Sequence, residues 1–231
     1  MIKNEKYPTL FIIFAHKFQI MITLDDYIEQ HSSPQSELLQ QIYRDTNVLT
    51  ATPHMLSGHI QGRLLAMISY MIRPKRILEL GTFTGYSALC LAEGLQPQGR
   101  LDTIEKNDEL EDMIVSNLSR SKYAESIKLH IADALEIIPQ FADDEFDLVF
   151  IDADKRHYIE YYDAVLPKVR VNGFILADNT LWDGHIIDPA YQKDWQTRSL
   201  RAFNDMVAND DRVEKVILPI RDGLTIIRKL R

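Results

Sequence analysis

Ile77-Leu78-Glu79-Leu80-Gly81-Thr82-Phe83-Thr84-Gly85-Tyr86-Ser87 reads as a short apolar strand that stops on a glycine and turns at once into a helix. A glycine directly after a strand lets the backbone approach a ligand closely, and the helix start beyond it offers unpaired N–H groups. This is the layout of a nucleotide-type site. The dinucleotide spacing G-x-G-x-x-G is missing, because residue 83 is Phe and only Gly81 and Gly85 are present, so a nicotinamide cofactor is disfavoured. Glu79 lies one residue before the strand's end, where a carboxylate can meet a cationic ligand. Glu105 closes the next strand 24 residues after Gly81, where a carboxylate can accept hydrogen bonds from both hydroxyls of a ribose.

Outward from this stretch, strand and helix signals alternate to the C-terminus. Strands are expected at Arg76 to Leu80, Arg100 to Glu105, Ile127 to Ile131, Phe146 to Ile151, Gly173 to Ala177, Val213 to Pro219 and Leu224 to Arg228, with helices between them. Such alternation implies right-handed βαβ units and a largely parallel sheet covered on both faces. Only Ile220-Arg221-Asp222-Gly223 separates the last two strands, too little for a parallel crossover, so they should form an antiparallel hairpin. Before Pro74 come a helical region from Leu24 to Val48, with a helix start at Ser33-Pro34-Gln35-Ser36-Glu37, and a helix at about Ser57 to Met71. The expected organisation is an N-terminal extension (1–22) and one domain (23–231), itself a helical cap (23–73) on an α/β core (74–231).

Two strands end in acid. Asp152 follows Val149-Phe150-Ile151, and Asp178-Asn179 follows Phe174-Ile175-Leu176-Ala177. Parallel neighbours deliver their carboxyl ends to one sheet edge, so two carboxylates and an amide carbonyl should converge there, a donor set for a hard dication such as Mg²⁺ or Ca²⁺. Two plainer roles compete: Asp152 as the cap of a following helix, and Asp178-Asn179 as an Asx-turn. Lys155, taken alone, is a solvated surface cation.

Composition bounds the rest. The chain has 231 residues, 45% hydrophobic and 26% charged, enough for a core without disulfides. A net charge of −8 argues against a broad nucleic-acid face. Cys90, the one cysteine, sits in the apolar run Ala88-Leu89-Cys90-Leu91-Ala92 and reads as a buried small residue in a reducing, cytoplasmic protein. Leu10-Phe11-Ile12-Ile13-Phe14-Ala15 is far short of the ~20 residues that span a bilayer and lacks a signal-peptide cleavage site; it reads as a packed apolar segment or an upstream extension before Met21. No His pair has zinc-protease spacing, and Ser87 lacks a G-x-S-x-G elbow, which removes two hydrolase classes. Trp195, Leu200, Phe203, Met206 and Val207 recur at helical spacing and suit a core or a subunit contact.

Four motifs in order carry a family likeness: Glu-Leu-Gly-Thr-Phe-Thr-Gly-Tyr-Ser (79–87), Phe-Ile-Asp-Ala-Asp-Lys (150–155), Ala-Asp-Asn-Thr-Leu-Trp (177–182) and Pro-Ile-Arg-Asp-Gly-Leu (219–224). From about residue 24 onward the chain resembles the class I S-adenosylmethionine-dependent O-methyltransferases of the caffeoyl-CoA and catechol type. That resemblance implies a Rossmann-like seven-stranded sheet of order 3-2-1-4-5-7-6 with its last strand antiparallel, helices on both faces, and a homodimer. It implies S-adenosylmethionine contacts at Met55, Ser57, Glu79, Gly81, Thr82 and Ser87, with Glu105 on the ribose, Asp133 and Ala134 beside the adenine, and Asp152 and Asp154 near the cofactor. It places Mg²⁺, or Ca²⁺ or Mn²⁺, on Asp152, Asp178 and Asn179, makes Lys155 the catalytic lysine, and puts Trp182 and Asp183 near the acceptor. The chemistry is coherent: a sulfonium methyl is already activated, a metal lowers the proton affinity of a diol oxygen, and Lys155 close to a dication should favour its neutral, basic form.

Three functions follow. The first is metal-dependent methylation of a catechol-like small molecule or its CoA ester. The second is methylation of a hydroxyuridine in tRNA, which would need Arg63, Arg73, Lys75, Arg76, Arg228, Lys229 or Arg231 gathered on the active-site face. The third is non-catalytic cofactor binding. No membrane partner is expected.

Overall fold

The computed structural model describes residues 22–231; the N-terminal extension, apart from Ile22, lies outside them. The chain forms two units that part between Ser33 and Pro34. The first carries α1 (Leu24–Gln30), opened by a capping box in which Thr23 Oγ1 accepts from the Asp26 amide and the Asp26 carboxylate accepts from the Thr23 amide. The second carries everything else. The helical region expected over Leu24 to Val48 is thus two helices, the second being α2 (Glu37–Leu49), capped by Ser36 Oγ on the Leu39 amide. It buries Leu39, Ile42 and Thr46, one stripe at helical spacing. A 3₁₀ turn at Pro53–Met55 leads into α3 (Gly58–Ile72), which ends at Arg73 in a left-handed conformation.

The sheet has seven strands in the order β3-β2-β1-β4-β5-β7-β6, as the resemblance implied. They are β1 (Arg76–Leu80), β2 (Arg100–Glu105), β3 (Ile127–Ile131), β4 (Phe146–Ile151), β5 (Val169–Ala177), β6 (Val213–Leu218) and β7 (Leu224–Lys229). The first five pair in parallel, and β7 runs antiparallel to both β5 and β6. Only β5 departs clearly from the sequence reading, starting four residues before Gly173. Its exposed Arg170-Val171-Asn172 carries no apolar alternation, and the pairing with β4 shifts register between Phe146 and Leu148.

Side chains alternate across this sheet into two cores. Leu78, Leu80, Val149, Ile151 and Ile175 face one side, where α6 (Ala134–Ile137), α7 (Tyr158–Val165) and α8 (Trp195–Asn209) cover them. Ile77, Leu148, Phe150 and Leu176 face the other, beneath α2, α3, α4 (Tyr86–Ala92) and α5 (Glu111–Ser119). This is the period-2 alternation of a sheet buried on both faces. Leu200, Phe203 and Val207 belong to the first core, whereas Trp195 is 63% exposed. Cys90 is buried on α4, and burial pushes its thiol up to about 12. We expect a thiol reagent at pH 8 to label the protein only after unfolding; rapid labelling of the native protein would contradict this packing.

The register fixes the functional edge. Leu80 pairs with Ile104 and Ile151, and Ile151 with Ala177, so Gly81, Glu105, Asp152 and Asp178 emerge side by side at the carboxyl ends of β1, β2, β4 and β5. Backbone bonds run one step past the strands: the Asp152 amide donates to Leu80 O (2.9 Å) and the Asp178 amide to Ile151 O (3.0 Å).

Candidate active site

A cavity of about 780 Å³ opens at this edge, within the range of small-molecule sites. Of the residues singled out from sequence, Met55, Ser57, Gly81, Thr82, Ser87, Glu105, Ala134, Asp152, Asp154, Lys155, Asp178, Asn179 and Trp182 line it. Glu79 sits beneath the wall, fully buried. Asp133 stands beside it, capping α6 through the Leu135 amide (2.9 Å) and pairing with Lys106 (2.7 Å). Asp183 is exposed on the turn after β5 and is not among the lining residues.

Gly81, with φ 94°, is where the chain leaves β1. A Cβ there would lie 2.1 Å from the Asp152 carbonyl, so the glycine permits both the left-handed turn and the contact between β1 and β4. Gly81→Ala should lower stability by at least ~2 kcal/mol, from ~1–3 kcal/mol each for backbone strain and overpacking; an unchanged thermal midpoint would refute this. Glu105 is held in place by backbone, its two oxygens accepting from the amides of Phe83 (2.8 Å) and Asn107 (2.9 Å). Each oxygen keeps a lone pair for the cavity.

Below the floor, Thr82 Oγ1 and Thr103 Oγ1 are 2.5 Å apart, and Thr103 donates to Glu79 Oε2 at 2.5 Å. Among the described residues Glu79 Oε1 has no hydrogen-bond partner. Burial pushes this carboxyl up to about 8, against the opposing pull of the Ser87 and Thr103 hydroxyls. A buried carboxylate oxygen left unpaired beside a cavity marks where a donor group of a ligand belongs.

The acidic pair is dominated by charge. Lys155 Nζ donates to Asp152 Oδ1 (2.7 Å) and lies 5.4 Å from the Tyr158 ring centre. Asp178, 3% exposed, accepts at Oδ2 from Gln61 Nε2 (2.6 Å) and at Oδ1 from the Asn179 amide (2.9 Å). Burial first, then the neighbouring Asp152 charge, raises Asp178 to about 7, opposed by Lys155 and Gln61. At Lys155 two effects oppose each other. Desolvation works to strip its proton, but Asp152, Tyr158 and Asp178 outweigh it and hold the amine above its ordinary range, so it is a cation in this arrangement. Asp154, not Asp152, caps the following 3₁₀ turn, and its bonds with Arg156 hold its carboxyl down at about 2. Among the described residues no group of three or more His, Cys, Asp or Glu could hold a metal ion; this edge offers two carboxylates and the Asn179 amide. Such all-oxygen donors suit a hard dication, and two crowded carboxylates gain most from one.

These shifts set a pH dependence. Glu79 and Asp178 both bind protons more tightly folded than unfolded, so the free protein should lose stability as pH rises from about 4 to about 8. Glu79→Gln should flatten that decline in thermal midpoint; an identical slope would show that Glu79 ionises normally.

Sequence reasoning assigned no role to Gln61, Tyr158, Arg221 or Asp222. Tyr158 is buried and donates to the Asp178 carbonyl (2.9 Å), and Asp222 accepts from Asn179 Nδ2 (3.1 Å). The motif Pro-Ile-Arg-Asp-Gly-Leu was legible, but not that its hairpin reaches the cavity. Three of the basic residues that would serve RNA lie elsewhere: Arg76 opens β1 and Arg228 and Lys229 close the antiparallel β7, all at the amino edge, opposite the cavity. They are paired with Asp102 and Glu145, with Glu214, and with Asp144.

Comparison with known proteins agrees with this architecture. The O-methyltransferase family model matches residues 29–230. Caffeoyl-CoA O-methyltransferase 1 of Eucalyptus globulus is 32% identical over 189 residues, covering 76% of this chain and 75% of that protein. Caffeoyl-CoA O-methyltransferase of Eucalyptus gunnii is 29% identical over 226 residues, covering 85% and 89%. The O-methyltransferase TomG from Streptomyces achromogenes, solved in complex with SAM, superposes with a TM-score of 0.83 at 29% identity over 90% of this chain and 96% of its own. The O-methyltransferase from Bacillus cereus in complex with SAH gives 0.81 at 27% identity, over 89% and 96%. The chain therefore belongs to the O-methyltransferase family and is a class I S-adenosylmethionine-dependent enzyme related to the caffeoyl-CoA and catechol O-methyltransferases.

Proposed function

We propose that this enzyme methylates a hydroxyl of a catechol-like small molecule or its CoA ester, using a divalent cation, with Mg²⁺ the first choice. The observation that carries the reading is the meeting of Asp152, Asp178, Asn179 and Lys155 on the wall of one cavity. Glu79, Gly81, Thr82, Ser87, Met55 and Ser57 would bind the methionine end of the cofactor with Asp154 near its amine, Glu105 its ribose, and Asp133 and Ala134 its adenine. Asp152, Asp178 and Asn179 would hold the metal, and Trp182 would border the acceptor; Asp183 would act from outside the lining. When bound, S-adenosylmethionine supplies an activated methyl group, and the dication supplies Lewis acidity that lowers the proton affinity of the acceptor hydroxyl.

Lys155 carries the proton chemistry. While Asp152 neutralises it, Lys155 keeps its proton; once Asp152 is engaged otherwise, the desolvation that already opposes its charge leaves an amine able to take the hydroxyl proton. The cavity wall aligns donor and acceptor, and such alignment can contribute ~7–11 kcal/mol. The tRNA alternative loses ground because Arg76, Arg228 and Lys229 stand at the opposite edge in ion pairs.

Three further features belong to the proposal. Residues 23–73 would form an N-terminal helical cap, of which α2 and α3 pack on one face of the core. A second copy would pack on apolar surface such as Met67 and Met71 of α3, 58% and 72% exposed, and sedimentation would detect that homodimer. A cytoplasmic setting suits the single buried thiol, and among the described residues no helix is long and apolar enough to cross a membrane. The acceptor is tested by methyl transfer from labelled S-adenosylmethionine to catechols, caffeoyl-CoA and bulk tRNA. Label on a small diol supports the proposal; label on tRNA alone would replace it with RNA modification.

A further inference from the structure

Arg221 stands in the turn between β6 and β7 with φ 48°, a conformation that glycine adopts readily and a longer side chain does not. It lines the cavity, and its guanidinium reaches the segment before α3. Nη1 donates to the Leu56 carbonyl (2.8 Å), to the Ser57 carbonyl and to Gln61 Oε1 (3.0 Å), and Nη2 lies 3.4 Å from the His54 carbonyl. One planar cation thus gathers three backbone carbonyls and an amide oxygen from residues 54–61. Gln61, 2% exposed, passes the contact on, its Nε2 donating to Asp178 Oδ2 at 2.6 Å.

A strained residue persists where its surroundings hold it, and strain of this kind concentrates at functional sites. The rigid fork of an arginine fixes direction as well as charge, which a lysine cannot reproduce. We propose that Arg221 is a positioning residue of the methyl-transfer site. It fixes the stretch that presents Met55 and Ser57 to the cavity and, through Gln61, sets how Asp178 presents its carboxylate. The hairpin that closes the sheet thereby joins the cofactor wall to the acidic pair. The inference rests on the reading of this cavity as the S-adenosylmethionine site.

Arg221→Gly tests it, because glycine relieves the backbone while removing the guanidinium. Calorimetric titration with S-adenosylhomocysteine should show affinity weakened roughly tenfold, and kcat should fall by a similar factor, with the thermal midpoint at or above that of the wild type. Arg221→Lys should recover only part of both. Wild-type affinity and kcat in Arg221→Gly would overturn the inference. So would a loss that merely follows a lowered thermal midpoint, which would leave Arg221 a stabilising residue only. Wild-type protein that binds no S-adenosylhomocysteine would overturn the reading of the cavity, and this inference with it.

Discussion

Asp152→Ala and Asp178→Ala are each expected to reduce methyl transfer by ~10³ or more, since Lewis-acid activation is worth several kcal/mol and each ~1.4 kcal/mol is tenfold. The two variants should differ in what else they lose. Asp178 is bonded to Gln61 and the Asn179 amide and is assigned to the metal alone, so S-adenosylhomocysteine affinity should be largely intact in Asp178→Ala. Asp152 adjoins the Gly81 turn and neutralises Lys155, so its removal leaves a largely buried cation without its 2.7 Å partner and should also cost stability. Full activity in either variant would sink the metal mechanism. Calorimetry beside the rate measurement separates loss of chemistry from loss of cofactor binding.

Lys155→Ala carries the second large effect, a rate lower by ~10²–10⁴ at neutral pH, the usual contribution of a positioned general base. The structure sharpens how this should look. Lys155 is held as a cation by Asp152, Tyr158 and Asp178, so the productive, neutral amine depends on relief of that pairing. The wild-type rate should therefore rise with pH through the range in which Lys155 deprotonates in the loaded enzyme, and Lys155→Ala should lose that limb. An unchanged pH–rate profile in Lys155→Ala would leave the lysine a charge that steadies the carboxylate pair and nothing more.

Much of this site was legible in the sequence because its key groups follow immediately on apolar strands. Asp152 and Asp178 come one residue after Ile151 and Ala177, which pair with each other, so strand ends located from apolar runs were enough to place both acids together. The same logic located Gly81 and Glu105. Where the local signal is weak the reading falters. The start of β5 was missed because Arg170-Val171-Asn172 lacks alternation and pairs through a shifted register. The ion pair of Lys155 with Asp152, three residues back along the chain, is a contact that no local pattern announces. Arg221 and Gln61 were beyond reach for a different reason. Their contact joins positions 160 residues apart, and neither belongs to a local pattern that announces it. Arg221 could have been suspected only from its place in a short hairpin connection, where a left-handed residue is common.

The metal mechanism is tested most directly by the initial rate of methyl transfer to a vicinal diol by enzyme stripped with EDTA and then titrated with Mg²⁺. That mechanism requires no turnover in EDTA and a saturable return of activity in the wild type that Asp178→Ala fails to show. Undiminished turnover in EDTA would contradict it, because Asp152, Asp178 and Asn179 would then have no metal to hold.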